Sequence, residues 1–417
     1  MTPEPRLIFG IISDLHMRGT VDEESVRKSL VALRDQGVTA VAVAGDVTDG
    51  SGRDALVASA ADRFLPFARV WNAVFPRGCG VELLLVLGER DFAAGDVKEA
   101  WYAAFGKEYA PCEIRDVRSC RFVLCREPDG TIRLPTANCQ LPTFVVRHFP
   151  IPEKDLPPDV VAITGHACTP LTDPRTIRIC GGGVMVDASS LLHVRASGGR
   201  ENALAEGLPP EAAEWRHMPD ISREAAKARH GLVVRVDAGG VAFRRLDLAL
   251  GRALSDDVTI PMAGRGAPTS PILDVPPPPE FPKGAEALVE EGTGKTMSGK
   301  VERQLTVRFP AARVPSRAFD YAVTVRYAEA GLVKTAVEKR VYAYGLFCPE
   351  DEPVVSCVFG FEELPWDVEL DLEIAPRTAY GDTGMPLRAQ AYIESPQARE
   401  ERLKKERKAA AAREEKS

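Results

Sequence analysis

The chain has 417 residues, of which 45% are hydrophobic and 27% are charged. One ordinary domain needs fewer residues than this, so length and composition predict two domains and a tail. The formal net charge is −7 at pH 7, and no basic block alternates with aromatic residues, so we expect no nucleic-acid-binding groove.

The cysteines and the N-terminal residues indicate the cellular compartment. The nine cysteines are odd in number and include no Cys-x-x-Cys pair, which argues against a disulfide framework and against a zinc ribbon. The first residues lead directly into an apolar run, without the basic start and small-residue cleavage site of a secretory signal. No apolar run reaches about 18 residues. We therefore predict a cytoplasmic protein that does not bind a membrane.

Apolar runs that end in polar clusters recur in the first half of the chain and predict buried strands. These runs are Leu7–Ile12, Ala40–Ala44, Leu83–Leu87, Phe144–Val146 and Val160–Ile163. Helical spacing over 23–35 and 54–74 lies between the first three strands and predicts βαβ order. After Val160 the runs are shorter and predict a mostly β second half: Ile177–Ile179, Val184–Val186 and the hairpin Gly231–Val236 with Val241–Leu246.

Composition changes mark the remaining boundaries. A Pro-rich segment over 263–285 predicts a stiff extended linker, so the first domain spans 1–262. Residues 286–395 contain short runs with period-2 alternation and turn residues between them, which predicts a β-sandwich of immunoglobulin or fibronectin type III kind. Residues 396–417 are rich in Lys, Glu, Arg and Ala without an apolar stripe, so we expect a charged tail that is either helical or disordered.

Polar segments with candidate metal ligands follow several of the predicted strands. One such segment carries little weight, because an Asp-x-His triplet is more often a cap or a turn. Here five occur in order: Asp14-Leu15-His16, Gly45-Asp46-Val47-Thr48-Asp49, Gly88-Glu89-Arg90-Asp91, Arg147-His148 and Gly165-His166-Ala167-Cys168. Acidic residues at successive strand ends predict a common site at one edge of a sheet.

In order and position these segments resemble the signatures of the calcineurin-like metallophosphoesterase family: Asp-x-His, Gly-Asp-x-x-Asp, Gly-Asn-His-(Asp/Glu), a single His after a strand, and Gly-His-x-His. The resemblance covers about residues 7–248. It implies an α/β fold, a four-layer α/β/β/α sandwich, with two metal ions at the strand ends between its halves. By position, one ion would be held by Asp14, His16, Asp46 and Cys168, and the other by Asp46, Glu89, His148 and His166. Asp46 would bridge the two ions, and Asp49 and Asp91 would orient ligands.

Three positions depart from the family pattern. Glu89 replaces a neutral Asn ligand and adds negative charge. Cys168 replaces the second His of Gly-His-x-His, and a thiolate is a softer ligand that favours zinc or iron. Arg90 stands where the family has a catalytic histidine. An arginine stays protonated, so it can stabilise a phosphoryl oxygen but cannot act as a general acid.

The resemblance implies a metal-dependent phosphoesterase that hydrolyses a small phosphomonoester or phosphodiester, with an altered or weakened site and up to two zinc, iron or manganese ions. A second hypothesis is a catalytically inactive pseudo-phosphoesterase that acts as a binding or scaffold protein. Its protein partner would contact the C-terminal β-sandwich. A third hypothesis retains a single metal ion, held by Glu89, His148 and His166.

Overall fold

The structure is a computed structural model that describes residues 6–414 apart from 19, 51–61, 94–95, 128–140, 157, 159, 181–182, 193, 195–227, 262–276, 296–300 and 347–352. The chain divides into two compact units. The first comprises Met1–Asp274 and Tyr344–Glu350, and the second comprises Val275–Ala343 and Asp351–Ser417. Most of the predicted linker, up to residue 276, lies outside the described residues, and its boundaries stay a prediction.

The first unit combines strands and helices. In chain order its elements are β1 (Leu7–Ile12), α1 (Thr20–Asp35), β2 (Ala40–Ala44), α2 (Leu65–Val74), β3 (Glu82–Val86), α3 (Glu89–Phe92), α4 (Val97–Phe105), β4 (Cys112–Val117), β5 (Cys120–Cys125), β6 (Thr143–Arg147), β7 (Val160–Thr164), β8 (Ile177–Cys180), β9 (Gly183–Asp187), β10 (His230–Val236), β11 (Gly240–Asp247), β12 (Arg252–Ala253) and β13 (Val258–Pro261). The helix predicted over 54–74 begins at Leu65 in the described residues, and its first part, 54–61, lies outside them.

Two sheets organise this unit. The first has the order β12-β11-β10-β1-β2-β3, with β13 also paired to β11, and the second has the order β4-β5-β6-β7-β9-β8. The strands β1, β2 and β3 are mutually parallel, as are β5, β6, β7 and β9. The carboxyl ends of the parallel strands in each sheet therefore lie along one edge, which is where the candidate ligands follow in the sequence.

The sequence of β2 explains how the first sheet is covered on both faces. Its alternating Ala-Val-Ala-Val-Ala sequence is fully buried. Ala40, Ala42 and Ala44 belong to the core that the two sheets share, whereas Val41 and Val43 belong to a second core with residues of the helices. Small side chains thus face the opposite sheet and branched ones face the helices, consistent with period-2 alternation.

Aromatic side chains fill the core between the two sheets. The Phe9 ring from the first sheet lies 5.2 Å from the Phe122 ring and 5.0 Å from the Phe144 ring of the second, in edge-to-face geometry. Each fully buried phenylalanine contributes roughly 1.5–3 kcal/mol through removal of apolar area from water. This core fixes the two sheets face to face. The outer face of the second sheet has its own small core, which includes Ile151 and Leu156.

The second unit is all-β apart from short turns and one terminal helix. Its elements are β14 (Leu288–Lys295), β15 (Val301–Pro310), β16 (Asp320–Glu329), β17 (Leu332–Tyr342), β18 (Val354–Gly360), β19 (Glu369–Arg377), β20 (Leu387–Tyr392) and α5 (Pro396–Glu414). Two antiparallel sheets, β14-β15-β18 and β17-β16-β19-β20, contribute alternate residues to one core. In β15, for example, Leu305, Val307 and Phe309 are buried. An α/β unit is thus followed by a β unit, as the sequence predicts.

The charged tail is helical in the structure. The hydroxyl of Ser395 accepts a hydrogen bond from the Ala398 backbone N–H at 3.2 Å, which stabilises the first turn of α5. The side chains over 396–409 are mostly exposed, as the lack of an apolar stripe predicts. No helix within the described residues is long and apolar enough to cross a bilayer.

Candidate metal centre

Six of the seven predicted ligands follow parallel strands, some in the first sheet and some in the second. Asp14 and His16 follow β1, Asp46 follows β2, Glu89 follows β3, His148 follows β6, and His166 follows β7. The candidate ligand atoms of Asp14, His16 and Asp46 all lie within 4.8 Å of one another, and so do those of Glu89, His148 and His166. The topology therefore collects residues from 14 to 166 into two three-ligand groups.

Asp46 belongs to the first group and also faces the second. Its Oδ2 atom is 3.9 Å from His16 Nε2 on one side and 3.5 Å from His148 Nε2 on the other. Within the groups, His16 Nε2 is 3.7 Å from Asp14 Oδ1, and His148 Nε2 is 2.9 Å from Glu89 Oε2. Ligand atoms at about 2.0–2.2 Å from a tetrahedral zinc are about 3.3–3.6 Å apart. The observed distances of 2.9–3.9 Å span this value.

The hydrogen bond of His148 fixes which ring nitrogen faces the centre. Its Nδ1 atom lies 2.8 Å from the carbonyl oxygen of Ala44, which can only accept, so Nδ1 carries the hydrogen. In the neutral ring Nε2 then presents its lone pair to Asp46 and Glu89. A metal-binding histidine needs this tautomer, since its second nitrogen is usually held by a carbonyl or a carboxylate.

The ionisable groups around His148 shift one another's pKa. Burial lowers the pKa of His148, but the carboxylates of Asp46 and Glu89 raise that pKa well above its ordinary value. Burial also raises the pKa of Glu89, and contacts with His148 and His166 lower it to a value well below the ordinary range. These directions favour an ionised Glu89 next to a protonated His148. A bound divalent cation would replace the positive charge of that imidazolium.

Two glycines provide the space in which these ligands pack. A Cβ atom at Gly45 would lie 2.5 Å from Nδ1 of His148, and the φ of Gly45 is +94°, which disfavours other residues. A Cβ atom at Gly88 would lie 2.1 Å from Oδ1 of Asp46. The glycines that precede Asp46 and Glu89 in the sequence are thus required by the close approach of neighbouring ligands.

Asp14 is held in place by several hydrogen bonds. Its Oδ2 atom lies 2.6 Å from the Ser13 hydroxyl and accepts from the His166 backbone N–H at 3.0 Å. The Ser190 hydroxyl donates to the Asp14 carbonyl at 3.0 Å. Burial raises the pKa of Asp14, but the contact with His16 and nearby imidazole charge lower it to about 2. Asp14 is therefore ionised and fixed in position.

Asp91 ties the Asp46 loop to the segment that carries Glu89. Its carboxylate is fully buried and accepts from the backbone N–H groups of Val47, Thr48 and Gly88, at 3.2, 2.9 and 2.9 Å. Burial, and then the charge of Asp46, raise the pKa of Asp91 to about 6. The proposed role of Asp91 in orienting ligands agrees with these contacts.

Asp49 lies next to the first group. Its Oδ1 atom is 3.8 Å from Nδ1 of His16, and its Oδ2 atom is 3.3 Å from Nε of Arg18. A carboxylate at this position can hold the His16 ring in one orientation, which is the role the sequence predicts for it.

Backbone strain is concentrated at the predicted site. Nine non-glycine residues among those described have positive φ, and five of them are predicted ligands: Asp14, His16, Asp46, His166 and Cys168. Each such residue costs on the order of 1–3 kcal/mol, and strain of this kind clusters at functional sites. The surrounding sheets hold a backbone geometry that the local sequence does not favour.

Arg90 and Cys168 lie outside the two groups of close ligand atoms. Arg90 is in α3, where its backbone N–H donates to Asp46 Oδ1 at 3.0 Å and its side chain is exposed. Cys168 is buried two residues after His166 and belongs to neither three-ligand group within the described chain. The structure thus brings together six of the seven predicted metal ligands.

Several residues near the site were not predicted from the sequence. Ser13 and Ser190 position Asp14, and the Phe149 ring packs 4.6 Å from the His166 ring. Asp187, the last residue of β9, is buried and pairs with Thr164 at the end of β7. An acidic residue at the end of an apolar parallel strand is a signal close to the one that identifies Asp14 and Asp46, and could have revealed it.

The residues present fit a divalent transition metal. His148 Nε2, His166 Nε2 and Glu89 Oε2 are buried and make no hydrogen bond of acceptable geometry within the described part of the chain, although His148 Nε2 and Glu89 Oε2 face each other at 2.9 Å. A cation among these three atoms would be coordinated by all of them. The mixture of imidazole and carboxylate is suited to zinc, iron or manganese.

Comparisons with known proteins give distant structural matches. No family model and no curated protein matches the chain. Solved structures that are similar over part of the chain include a conserved uncharacterized protein of Streptococcus pneumoniae TIGR4, described as a predicted phosphoesterase; it has 14% sequence identity, and the match covers 61% of this chain and 97% of that one with a TM-score of 0.29. A second is GAP50, the anchor in the inner membrane complex of Plasmodium, with 11% identity, coverage of 62% of this chain and 89% of that one, and a TM-score of 0.36. A third is the Vps29 single mutant of Entamoeba histolytica, with 10% identity, coverage of 61% of this chain and 99% of that one, and a TM-score of 0.29. TM-scores below 0.5 do not establish a shared fold or function.

Proposed function

We propose that the first unit is a calcineurin-like metallophosphoesterase domain, a four-layer α/β/β/α sandwich, that binds up to two divalent transition metal ions and hydrolyses a phosphoester. One observation carries the proposal. A buried and a partly buried three-ligand group, from residues far apart in sequence, meet at the carboxyl ends of parallel strands, where Asp46 of the first group faces His148 of the second. The five motifs that predict this centre occur in the order of the family.

Each ligand would have a defined role. Asp14 and His16 would hold one ion, Glu89 and His148 with His166 the other, and Asp46 would contact both. When bound, the metal ions would polarise a phosphoryl oxygen and make water a nucleophile near neutral pH. The chain itself supplies the fixed geometry, since the Ala44 carbonyl and the Asp91 carboxylate hold His148 and the ligand loops before any cation arrives.

Arg90 limits the range of substrates. Its guanidinium stays protonated at any working pH, so it can stabilise a negative phosphoryl oxygen but cannot give a proton to the leaving group. The loss of a general acid costs roughly 10²–10⁴-fold in rate. We therefore expect a preference for esters whose leaving group needs no protonation, such as an activated aryl phosphate.

The test combines metal analysis with turnover of an activated aryl phosphate. Protein purified without chelators should contain about two transition metal ions per chain and hydrolyse the ester. Asp46→Ala should lose both properties, with metal affinity reduced by more than about 100-fold, since even residues behind the ligands contribute about 10–100-fold. The matched control is Asp116→Ala, which removes an exposed carboxylate that pairs with Arg121 at 2.8 Å. It should keep full metal content and activity.

Arg90 and Cys168 favour a second candidate function, a pseudo-phosphoesterase that binds a ligand or a protein partner, with the C-terminal β-sandwich as a contact surface. The position of the general acid holds an arginine, and the cysteine lies outside both ligand groups. The double variant Arg90→His with Cys168→His separates the two functions. Turnover that appears only in the double variant supports the binding protein, and turnover in the unaltered chain supports the enzyme.

A further inference from the structure

Two cysteines lie directly opposite each other in the hairpin formed by β4 and β5. Cys112, the first residue of β4, and Cys125, the last of β5, are Cα partners in this antiparallel pair. Both are free thiols. Neither belongs to the candidate metal centre, so the hairpin carries a pair of thiols with no role in the proposed function.

The pairing of the hairpin places these cysteines at a position suited to a disulfide. The backbone N–H of Arg126 donates to the carbonyl of Pro111 at 2.8 Å, so the pair next to the cysteines is a hydrogen-bonded one. The two kinds of pair alternate along antiparallel strands, which makes Cys112 and Cys125 a non-hydrogen-bonded pair with a Cα separation of about 4.5 Å. Disulfides span Cα separations of about 4.4–6.8 Å.

The two thiols differ in environment, which assigns them different chemical roles. Residues opposite each other in an antiparallel pair project from the same face of the sheet. Cys112 is exposed, whereas Cys125 is 7% exposed and packs in the small core on the outer face of the second sheet. Burial raises the pKa of Cys125 to about 11, and the neighbouring Cys112 thiol also acts to raise that pKa. Cys112 is therefore the thiol that meets an oxidant, and Cys125 is the protected partner.

We propose that Cys112 and Cys125 are a modification site at which a peroxide forms a reversible disulfide. The Cys112 thiol releases its proton, and the resulting thiolate attacks one oxygen of hydrogen peroxide. The O–O bond breaks, and the departing hydroxide takes up the released proton to give water. Cys112 is then a sulfenic acid. The Cys125 sulfur attacks it, the S–S bond forms as the S–O bond breaks, and the hydroxyl leaves with the Cys125 proton as a second water. Two thiols are oxidised and one peroxide is reduced to two waters.

The disulfide would join the two strands of a hairpin that already makes a hydrogen bond to the first sheet. Arg126, next to Cys125, is buried, and its guanidinium donates to the carbonyls of Leu85 in β3 and Ala110, at 3.0 and 2.8 Å. A covalent link between Cys112 and Cys125 restricts the unfolded chain across this segment. Oxidation should therefore raise the melting temperature of the first unit by several degrees, and a reductant should reverse the rise.

The test uses the full chain and hydrogen peroxide. After oxidation and alkylation of the remaining thiols, mass mapping should find one peptide pair joined through Cys112 and Cys125, and the thiol count should fall by two. Cys112→Ser changes an exposed position and should abolish both the link and the rise in melting temperature. Cys79→Ser, which removes another exposed thiol, should leave both unchanged.

Two results would overturn the proposal. One is Cys112 oxidised to sulfinic acid while Cys125 remains open to alkylation after unfolding. The other is a disulfide from Cys112 to a different cysteine, such as Cys139, in the folded chain. Neither result involves metal content or phosphoester turnover, so the fate of this site is measured independently of the proposed function.

Discussion

Replacing Asp187 with asparagine should stabilise the first unit near neutral pH. The Asp187 carboxylate is 3% exposed, and its Oδ1 atom accepts from the Ser189 backbone N–H at 2.9 Å. Its Oδ2 atom makes no hydrogen bond of acceptable geometry within the described residues. Burial raises the pKa of Asp187 to about 7, although the nearby Thr169 hydroxyl favours the charged form and acts to lower that pKa. Asparagine keeps the acceptor for Ser189 and removes the buried charge.

The size and sign of the effect follow from linkage. Between pH 4 and pH 7 the folded chain binds a proton at Asp187 that the unfolded chain has lost, so stability falls as pH rises. A pKa raised from 3.8 to about 7 corresponds to a loss of at most about 4 kcal/mol once the group is ionised. An amide N–H without a partner costs about 1 kcal/mol or more. We therefore expect Asp187→Asn to gain about 2–3 kcal/mol at pH 8 and to lose about 1 kcal/mol at pH 4, where only the cost of the amide remains.

Urea unfolding at several pH values measures this difference. Trp71 and Trp101 are buried in the first unit and provide a fluorescence signal for its unfolding. The exposed control, Asp116→Asn, should change stability by less than about 0.5 kcal/mol at each pH. The reasoning is refuted if Asp187→Asn is no more stable than the unaltered chain at pH 8. It is equally refuted if the gain is the same at pH 5 and pH 8, since a constant gain would not come from ionisation.

Three further predictions concern the metal centre and the second unit. Gly45→Ala places a Cβ against His148 and should lower stability by more than about 2 kcal/mol in thermal melting and remove bound metal. Adding zinc or manganese to metal-free chain at 100 times its dissociation constant should raise stability by about 2.7 kcal/mol in a melting assay, and Asp46→Ala should show no such rise. Asp320→Ala removes a buried carboxylate and leaves Arg377, whose Nε lies 2.6 Å from Asp320 Oδ1, without its counter-charge. Because the Arg377 side chain is partly exposed to water, the change should destabilise the second unit by about 1–3 kcal/mol in urea unfolding.

Most strands that form the centre can be predicted because their sequences are continuous apolar runs. The runs Leu7–Ile12 and Ala40–Ala44 match β1 and β2 residue for residue. Both strands are buried on two faces, so tertiary structure and local sequence favour the same assignment. The polar residues after these strands then locate the candidate ligands.

The hairpin predicted over Gly231–Val236 and Val241–Leu246 corresponds to β10 and β11, whereas two edge strands are harder to predict. β4 reads Cys-Glu-Ile-Arg-Asp-Val, and its exposed charged residues conceal the strand pattern until its pairing with β5 is known. In β14, Gly292 and Gly294 give the sequence the composition of a turn, yet both residues pair with β15. Pairing with a neighbouring strand, which single-sequence patterns do not contain, overrides local propensity in both cases.

The sequence also does not contain the direction of each side chain at the centre. Spacing places Cys168 as a ligand by analogy with the family, but in the structure it lies in neither group. Direction at this point depends on the left-handed backbone at His166 and Cys168, with φ of 68° and 52°. Such angles are set by the packing around the loop, and a motif cannot specify them.

Glu89 and Arg90 are best understood together. The family pattern at these two positions is a neutral amide followed by histidine, and this chain has a carboxylate followed by a guanidinium. The carboxylate strengthens attraction for a cation and opposes an anionic phosphate, whereas the adjacent guanidinium restores one positive charge on the exposed side of the site. The two departures therefore leave the net charge of the segment unchanged, while they exchange a group that can donate a proton for one that cannot. Under the proposed function, such a centre would retain cation and phosphate binding and would lose most of its acid catalysis, so the identity of the leaving group would decide whether the chain turns over its ligand or only holds it.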